Sequence, residues 1–378
     1  MTTKNPFVYG QVVTGQYFTN RTEEKAHLSS NLLNGIHTII ISPRRWGKSS
    51  LVEEVFTRLS KSPEIKTVKL DLTAVLDERE FYTLYAKEVI KATSNKAEEV
   101  LQTIKFAFRS FRPEVSFDPS DASFSLGFNF KDADLEKGFK DILDLPETIA
   151  KKKGIRILVA LDEFQNIGNF PKPALFQGRL RSVLQYHKNV SYCFYGSKKH
   201  MMEEIFHDKS APFFQFGDIL NFKRIARSDF FPFLKKKFET TGKPIDEREV
   251  DAILNSVENH PHYVQFIAYK TWENATGKVK PSDVSKAISQ VVGQFDSLLS
   301  EIFSDLSRHQ KALLKGLVKS TDRKPYSQTF VRNYGLGSTA NVSVVLKALI
   351  KKDIVAQLDD NQVVFVDPIF RLWLTSKS

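Results

Sequence analysis

Ser42-Pro43-Arg44-Arg45-Trp46-Gly47-Lys48-Ser49 follows the apolar run Ile36–Ile41 and leads through Ser50 and Leu51 into an amphipathic segment. The stretch matches the pattern G-x-x-x-x-G-K-[ST], in which backbone N–H groups and a helix N-terminus wrap a chain of phosphates. In that chemistry Gly47 lets the backbone approach the ligand, Lys48 brings a point charge to the β- and γ-phosphates, and the Ser49 hydroxyl ligates Mg²⁺. Ser42 stands where the pattern has its first Gly, and Pro43 removes an N–H donor beside it, which predicts an altered phosphate affinity. The expected nucleotide contacts run from Ser42 through Ser50.

A second signal is Ile157-Leu158-Val159-Ala160-Leu161-Asp162-Glu163, an apolar strand ending in two acids. In a parallel sheet that end is expected next to the phosphate loop, with Asp162 orienting the Mg²⁺ shell and Glu163 polarising the water that attacks the γ-phosphate. Gly196-Ser197 closes another apolar run. Ser197 is read either as a sensor of the γ-phosphate or as the N-cap of a helix over Lys198–Phe206. Arg179 and Arg181 suit arginine fingers if a neighbouring protomer or a closing lid presents them, and otherwise a solvated helix face. His260 and His262 flank Pro261 and the other histidines are scattered, so histidine ligation of a metal has little support. No nucleophile elbow is present.

The elements that must hold these residues alternate. Strands are expected at Ile36–Ser42, Ile65–Leu72, Ile155–Asp162 and Val190–Gly196, with helices near Ser49–Leu59, Glu78–Ala92, Leu135–Lys152 and Leu175–Tyr186. This is an α/β pattern with a mostly parallel sheet. It is interrupted at about 104–131, where Phe106, Phe108, Phe111, Val115 and Phe117 precede the turn Asp118–Asp121 and Phe124, Leu126, Phe128 and Phe130 follow. Alternation around a turn predicts a β-hairpin. Lys105, Arg109 and Arg112 beside it also allow base stacking. Residues 1–226 read as the core, 227–300 as a helical lid, and 301–378 as a winged helix-turn-helix with strands Ile354–Leu358 and Val363–Val366 around Asp359-Asp360-Asn361.

A chain of 378 residues suits two or three domains, and 31 Phe suggest cores filled with rings. Formal charge is +11 and the isoelectric point about 9.4, which favours a polyanionic partner. Lys151–Lys153 and Lys235–Lys237 read as solvated faces. A single cysteine, Cys193 in an apolar run, excludes a disulfide framework and a cysteine zinc site. The chain opens without an apolar signal core and has no run of membrane-spanning length, so a cytoplasmic protein without membrane contact is expected.

Together these motifs resemble the archaeal-type P-loop ATPases, a branch of the STAND group related to AAA+ initiator ATPases. The resemblance spans nearly the whole chain. It rests on Tyr17-Phe18-Thr19-Asn20-Arg21-Thr22-Glu23, Pro43-Arg44-Arg45, Leu161-Asp162-Glu163-Phe164-Gln165, Tyr195-Gly196-Ser197, His260-Pro261-His262-Tyr263 and Asp367-Pro368-Ile369-Phe370-Arg371-Leu372-Trp373. It implies that Phe18 and Arg21 lie near the adenine or ribose, and that Pro261 belongs to a nucleotide-contacting lid element. Asn259 stands where the family usually has Gly before that element.

Three functions compete. A switch ATPase would use ATP and Mg²⁺ to set the arrangement of core, lid and winged helix, releasing ADP after slow hydrolysis and acting on a protein client or on itself. A DNA-binding regulator would hold nucleotide structurally and insert helix Ser338–Lys351 into the major groove of duplex DNA. Residues 301–378 carry 12 Lys/Arg against 7 Asp/Glu, a basic balance that permits DNA binding. Yet the helix offers Ser338, Thr339, Asn341, Ser343, Lys347 and Lys351 and no Arg for guanine. A Phe-rich adaptor with a degenerate site is the third, against which Lys48, Ser49, Asp162 and Glu163 all speak.

Overall fold

The computed structural model describes residues 4–94, 96–108, 114–117, 124–127, 132–222, 224–320, 324–357 and 362–377. Nine strands are described: β1 (Thr38–Ile41), β2 (Ile65–Asp71), β3 (Glu114–Phe117), β4 (Phe124–Gly127), β5 (Arg156–Asp162), β6 (Val190–Gly196), β7 (Asp218–Asn221), β8 (Val355–Gln357) and β9 (Val363–Phe365). Five of them form a parallel sheet in the order β2-β5-β6-β1-β7. Parallel strands are covered on both faces, which is why β6 is buried at every position. The short, polar-flanked edge strand β7, which pairs with β1, carries too weak a pattern to be anticipated.

β6 lies between β5 and β1, and the end of β5 still reaches the phosphate loop, as the sequence predicts. The C-terminal ends of all three still face the same edge of the sheet, since the strands are parallel and in register.

Helix Lys48–Leu59 buries Leu51, Val52, Val55 and Phe56. The segment expected as one helix over 135–152 is two, Asp132–Leu143 and Leu145–Lys153, broken at Asp144 with Pro146 in the new first turn. The insertion pairs β3 with β4 antiparallel, Val115 opposite Leu126. Leu126 is buried in the same core as Phe81 and Tyr82. Phe106 and Phe108, expected in the first arm, instead lie in the last turn of helix Ala97–Ala107 and at its C-cap. Phe111, Phe128, Phe130, Arg109, Arg112 and the turn at 118–121 lie outside the described residues. Rings do fill the interior, as in the cluster of Phe164, Phe194, Phe206 and Phe213.

The chain divides into two compact units, residues 21–223 and residues 1–20 with 224–378. Residues 1–20 therefore group apart from the sheet with which the sequence reading placed them. Aromatic anchors explain this: Phe7 packs on Phe238 at 4.8 Å between ring centroids, and Tyr9 stacks on Phe266 at 3.9 Å. The second unit has one continuous core running from helices Arg227–Thr240, Glu247–Ser256, Pro261–Asn274 and Pro281–Gln294 into the C-terminal segment. There Arg308–Lys319, Gln328–Asn333, Thr339–Lys351, β8, β9 and Pro368–Ser376 give the helix and wing order of a winged helix. Its turn at 359–361 lies outside the described residues.

Candidate nucleotide-binding site

The chain leaves β1 at Ile41 and turns through a loop whose Arg45 and Gly47 have φ of 64° and 92°. Gly47 meets the conformational demand at low cost, because an L side chain is strained there although no neighbouring atom would block it. Ser42 is 1% exposed, and no side chain beyond a small one fits that turn without displacing the core around it. The helix then starts at Lys48 with no side-chain cap, leaving its N-terminus directed at the loop.

Lys48 is 5% exposed. Its ammonium donates to the carbonyls of Ser42 at 3.2 Å and Pro43 at 3.1 Å. Burial lowers its pKa to about 8; Glu163 and Asp162 oppose that shift, and Arg44 adds to it. Pro43, which brings no N–H, thus contributes its carbonyl as a seat for the lysine.

The Ser49 hydroxyl donates to Asp162 Oδ2 at 3.1 Å, and the Glu163 backbone N–H donates to Oδ1 at 2.8 Å. Burial pushes the Asp162 carboxyl up to about 6, with Glu163 adding to the rise and the hydrogen bonds and Lys48 opposing it. Among the described residues no group of three His, Cys, Asp or Glu could hold a metal. One carboxylate and one hydroxyl are what a hard dication takes from a protein when phosphates and water complete its shell, so the donor set fits Mg²⁺.

Glu163 sits in the left-handed region at φ 50°. Its Oε2 accepts from Ser197 Oγ at 2.9 Å, from the Ser197 N–H at 3.4 Å, and from Gln165 Nε2. Helix Lys199–Phe206 begins with Lys198 at its cap, so Ser197 does not cap it.

Arg21, at φ 60° before helix Thr22–Leu33, is buried and paired with Glu24 at 2.7 Å. Desolvation lowers its pKa, against the pull of Glu24. It also donates to the Trp46 carbonyl at 3.4 Å and lies 4.0 Å over the Phe222 ring. Phe18 and Pro261 belong to the other compact unit, where Pro261 opens helix Pro261–Asn274. The arginine-finger reading meets an obstacle within this unit. Arg179 is buried and bonded to Glu78 at 2.8 Å, and Arg181 donates to the carbonyls of Pro212 and Phe214. Neither is a solvated face either.

The sheet unit thus gathers Ser42–Ser50, Asp162, Glu163 and Ser197 at one edge. Sequence reasoning quoted Gln165 without giving it a role and missed the tie from Arg21 to the loop. Nothing in the mixed stretch Asp162-Glu163-Phe164-Gln165-Asn166-Ile167 singles Gln165 out.

Comparison with known proteins bears on the fold. Residues 297–376 match the family described as a probable winged helix domain. No curated protein matches the sequence. Among solved structures, a Walker-type ATPase of Pyrococcus abyssi is similar at 17% identity, with a TM-score of 0.66 over 95% of this chain and 97% of that one. The ORC2 protein of Aeropyrum pernix, in ADPNP-ADP complexes, is similar at 14% identity, with a TM-score of 0.56 over 100% and 98%. The fold is therefore the one these structures share, an α/β parallel sheet with helices, ending in a winged helix.

Proposed function

We propose that this chain is a nucleotide switch that binds ATP with Mg²⁺ through Ser42–Ser50 and Asp162 and hydrolyses it slowly. The observation that carries this reading is the Ser49–Asp162 hydrogen bond, which unites the two motifs at one point beside the buried Lys48. Lys48 would exchange its two carbonyl partners for phosphate oxygens, a stronger charge-assisted contact. Bound Mg²⁺ would neutralise charge developing on the β- and γ-oxygens. Glu163 would accept a proton from the attacking water, with Ser197 holding one oxygen of its carboxylate in place. In this scheme Ser197 acts through Glu163 and not as a separate phosphate sensor.

Coupling is supported by Arg21. It is the first residue of the sheet unit, touches Phe222 near the other chain crossing, and hydrogen-bonds the phosphate loop at Trp46. A shift of the loop with nucleotide state would reach both connections. The resemblance to archaeal-type ATPases of the STAND group suits such a switch, as do the ADPNP-ADP complexes of the similar ORC2 protein. The family resemblance is the ground for Phe18 and Pro261 as further nucleotide contacts.

A second reading, a DNA-binding regulator, draws on the winged helix and its basic balance. The deciding experiment is an ATPase assay and sizing of the purified chain with and without duplex DNA. Turnover that DNA leaves unchanged supports the switch with a protein client or self-association. Absence of both ATP binding and turnover overturns the switch.

A further inference from the structure

Gln165 is 1% exposed, and its amide is placed by two neighbours of different kinds. Its Nε2 donates to Glu163 Oε2, the same oxygen that accepts from the Ser197 hydroxyl. Its Oε1 is buried without a hydrogen-bond partner and lies against Gly196. A Cβ on residue 196 would come to 1.8 Å from that oxygen and 2.9 Å from the Met202 sulfur. Gly196 therefore has no side chain because the amide occupies that space; its backbone is extended strand that any residue adopts. Turning the amide over would set an oxygen against the carboxylate, so the charge on Glu163 fixes its orientation.

An unpartnered buried acceptor is costly, and a hydrophobic residue of the same shape would avoid the cost. The arrangement is accounted for if the amide N–H is needed where it is. We infer that Gln165 is a positioning residue for hydrolysis: wedged by Gly196, it holds one oxygen of Glu163 and thereby aims the other at the attacking water. This rests on the ATPase reading above. With donors from both Gln165 and Ser197 on Oε2, the carboxylate has one rotational setting, and loss of the Gln165 donor lets it rotate away from the in-line position.

The test uses the full chain, with ATP affinity measured by calorimetry in the presence of Mg²⁺ and turnover under single-turnover and steady-state conditions. Gln165→Met keeps the shape and removes the donor. It should lower kcat by between about tenfold and 100-fold, less than loss of the base itself, with Kd for ATP and KM within about twofold. In a Glu163→Gln background the same change should have no further effect, because a residue acting only through Glu163 has nothing left to position. Gly196→Ala, which pushes the amide from the other side, should reproduce the kcat loss and serves if Gln165→Met does not fold. A wild-type kcat in Gln165→Met beside a slow Glu163→Gln overturns the inference and leaves the ATPase reading intact. Equal loss in both backgrounds, or loss of ATP affinity, also overturns it by making Gln165 a packing residue. Should Glu163→Gln itself turn over at the wild-type rate, the ATPase reading loses its base and the inference falls with it.

Discussion

Ser49 and Asp162 are 113 residues apart in the chain and joined by a hydrogen bond of 3.1 Å across the edge of a parallel sheet. The contact exists although β6 lies between β5, which ends at Asp162, and β1, which leads into the phosphate loop. It brings a hydroxyl that follows a lysine into line with a carboxylate whose burial raises its pKa to about 6, a pairing that a dication would complete.

Lys48→Ala should abolish Mg²⁺-ATP binding while the protein stays folded, since the ammonium is the main point charge of the loop. The Ser42 and Pro43 carbonyls lose their donor, a stability cost of about 1–3 kcal/mol. Calorimetry with ATP, and circular dichroism as the fold control, checks both parts; undiminished affinity refutes the assignment.

The two acids should separate by phenotype. Asp162→Asn should weaken Mg²⁺-dependent binding by about tenfold or more, whereas Glu163→Gln should spare binding and slow hydrolysis by about 10²- to 10⁴-fold. Binding and single-turnover rates measured on both variants decide it, and wild-type rates in both would move the site elsewhere.

Acid should destabilise the sheet unit through His37. Burial, with His187 adding to it, lowers the His37 pKa from 6.5 to about 4, while its Nδ1 accepts the Tyr192 N–H at 3.3 Å. The unfolded chain binds the proton first, so this stabilisation is fully present above pH 6.5 and is lost as pH falls through 4. The loss is at most about 3 kcal/mol. Urea unfolding from pH 7 to 4 should show a shallower decline in His37→Gln than in wild type.

In the second unit, the Tyr263 hydroxyl donates to Asp367 Oδ2 at 2.6 Å, and Oδ1 of the same carboxylate caps the last helix at the Ile369 N–H. Tyr263→Phe should cost about 1.5–3 kcal/mol, and Asp367→Ala about 1 kcal/mol more because the cap goes too. Denaturant unfolding followed by tryptophan fluorescence measures the difference, Trp373 lying in that helix.

The winged helix distinguishes DNA from protein docking by its salt response. Ser338 caps its helix by accepting the Asn341 N–H, and Asn341 Nδ2 donates to the Leu336 carbonyl, so two of the polar side chains that this helix offers are engaged locally. Lys347 and Lys351 are exposed. If they meet phosphates, replacing either with Ala should weaken binding to all duplex sequences and lower the salt slope by about one unit each. Fluorescence anisotropy of the full chain on random duplex DNA reads this, and no binding at low salt in either nucleotide state excludes nucleic acid as the partner.

The sequence by itself determined the phosphate loop, the acid pair after β5, four of the five sheet strands and the winged helix, because turn chemistry and apolar periodicity act over a few residues. Where charged and polar side chains point depends on elements distant in the chain, and there only the tertiary structure decided. Arg179 and Arg181 looked like solvated or catalytic groups until Glu78 and the carbonyls of Pro212 and Phe214 came beside them. Ser197 read equally as a γ-phosphate sensor or a helix cap until Glu163 came within hydrogen-bond reach of it. In helix Thr339–Lys351, Val342, Val345, Leu346 and Leu349 form the buried stripe and the equally apolar Val344 is 67% exposed. Residues 1–20 read as the start of the sheet domain, yet Phe7 and Tyr9 find their aromatic partners in helices more than 200 residues later, and burial of those rings outweighs nearness in sequence.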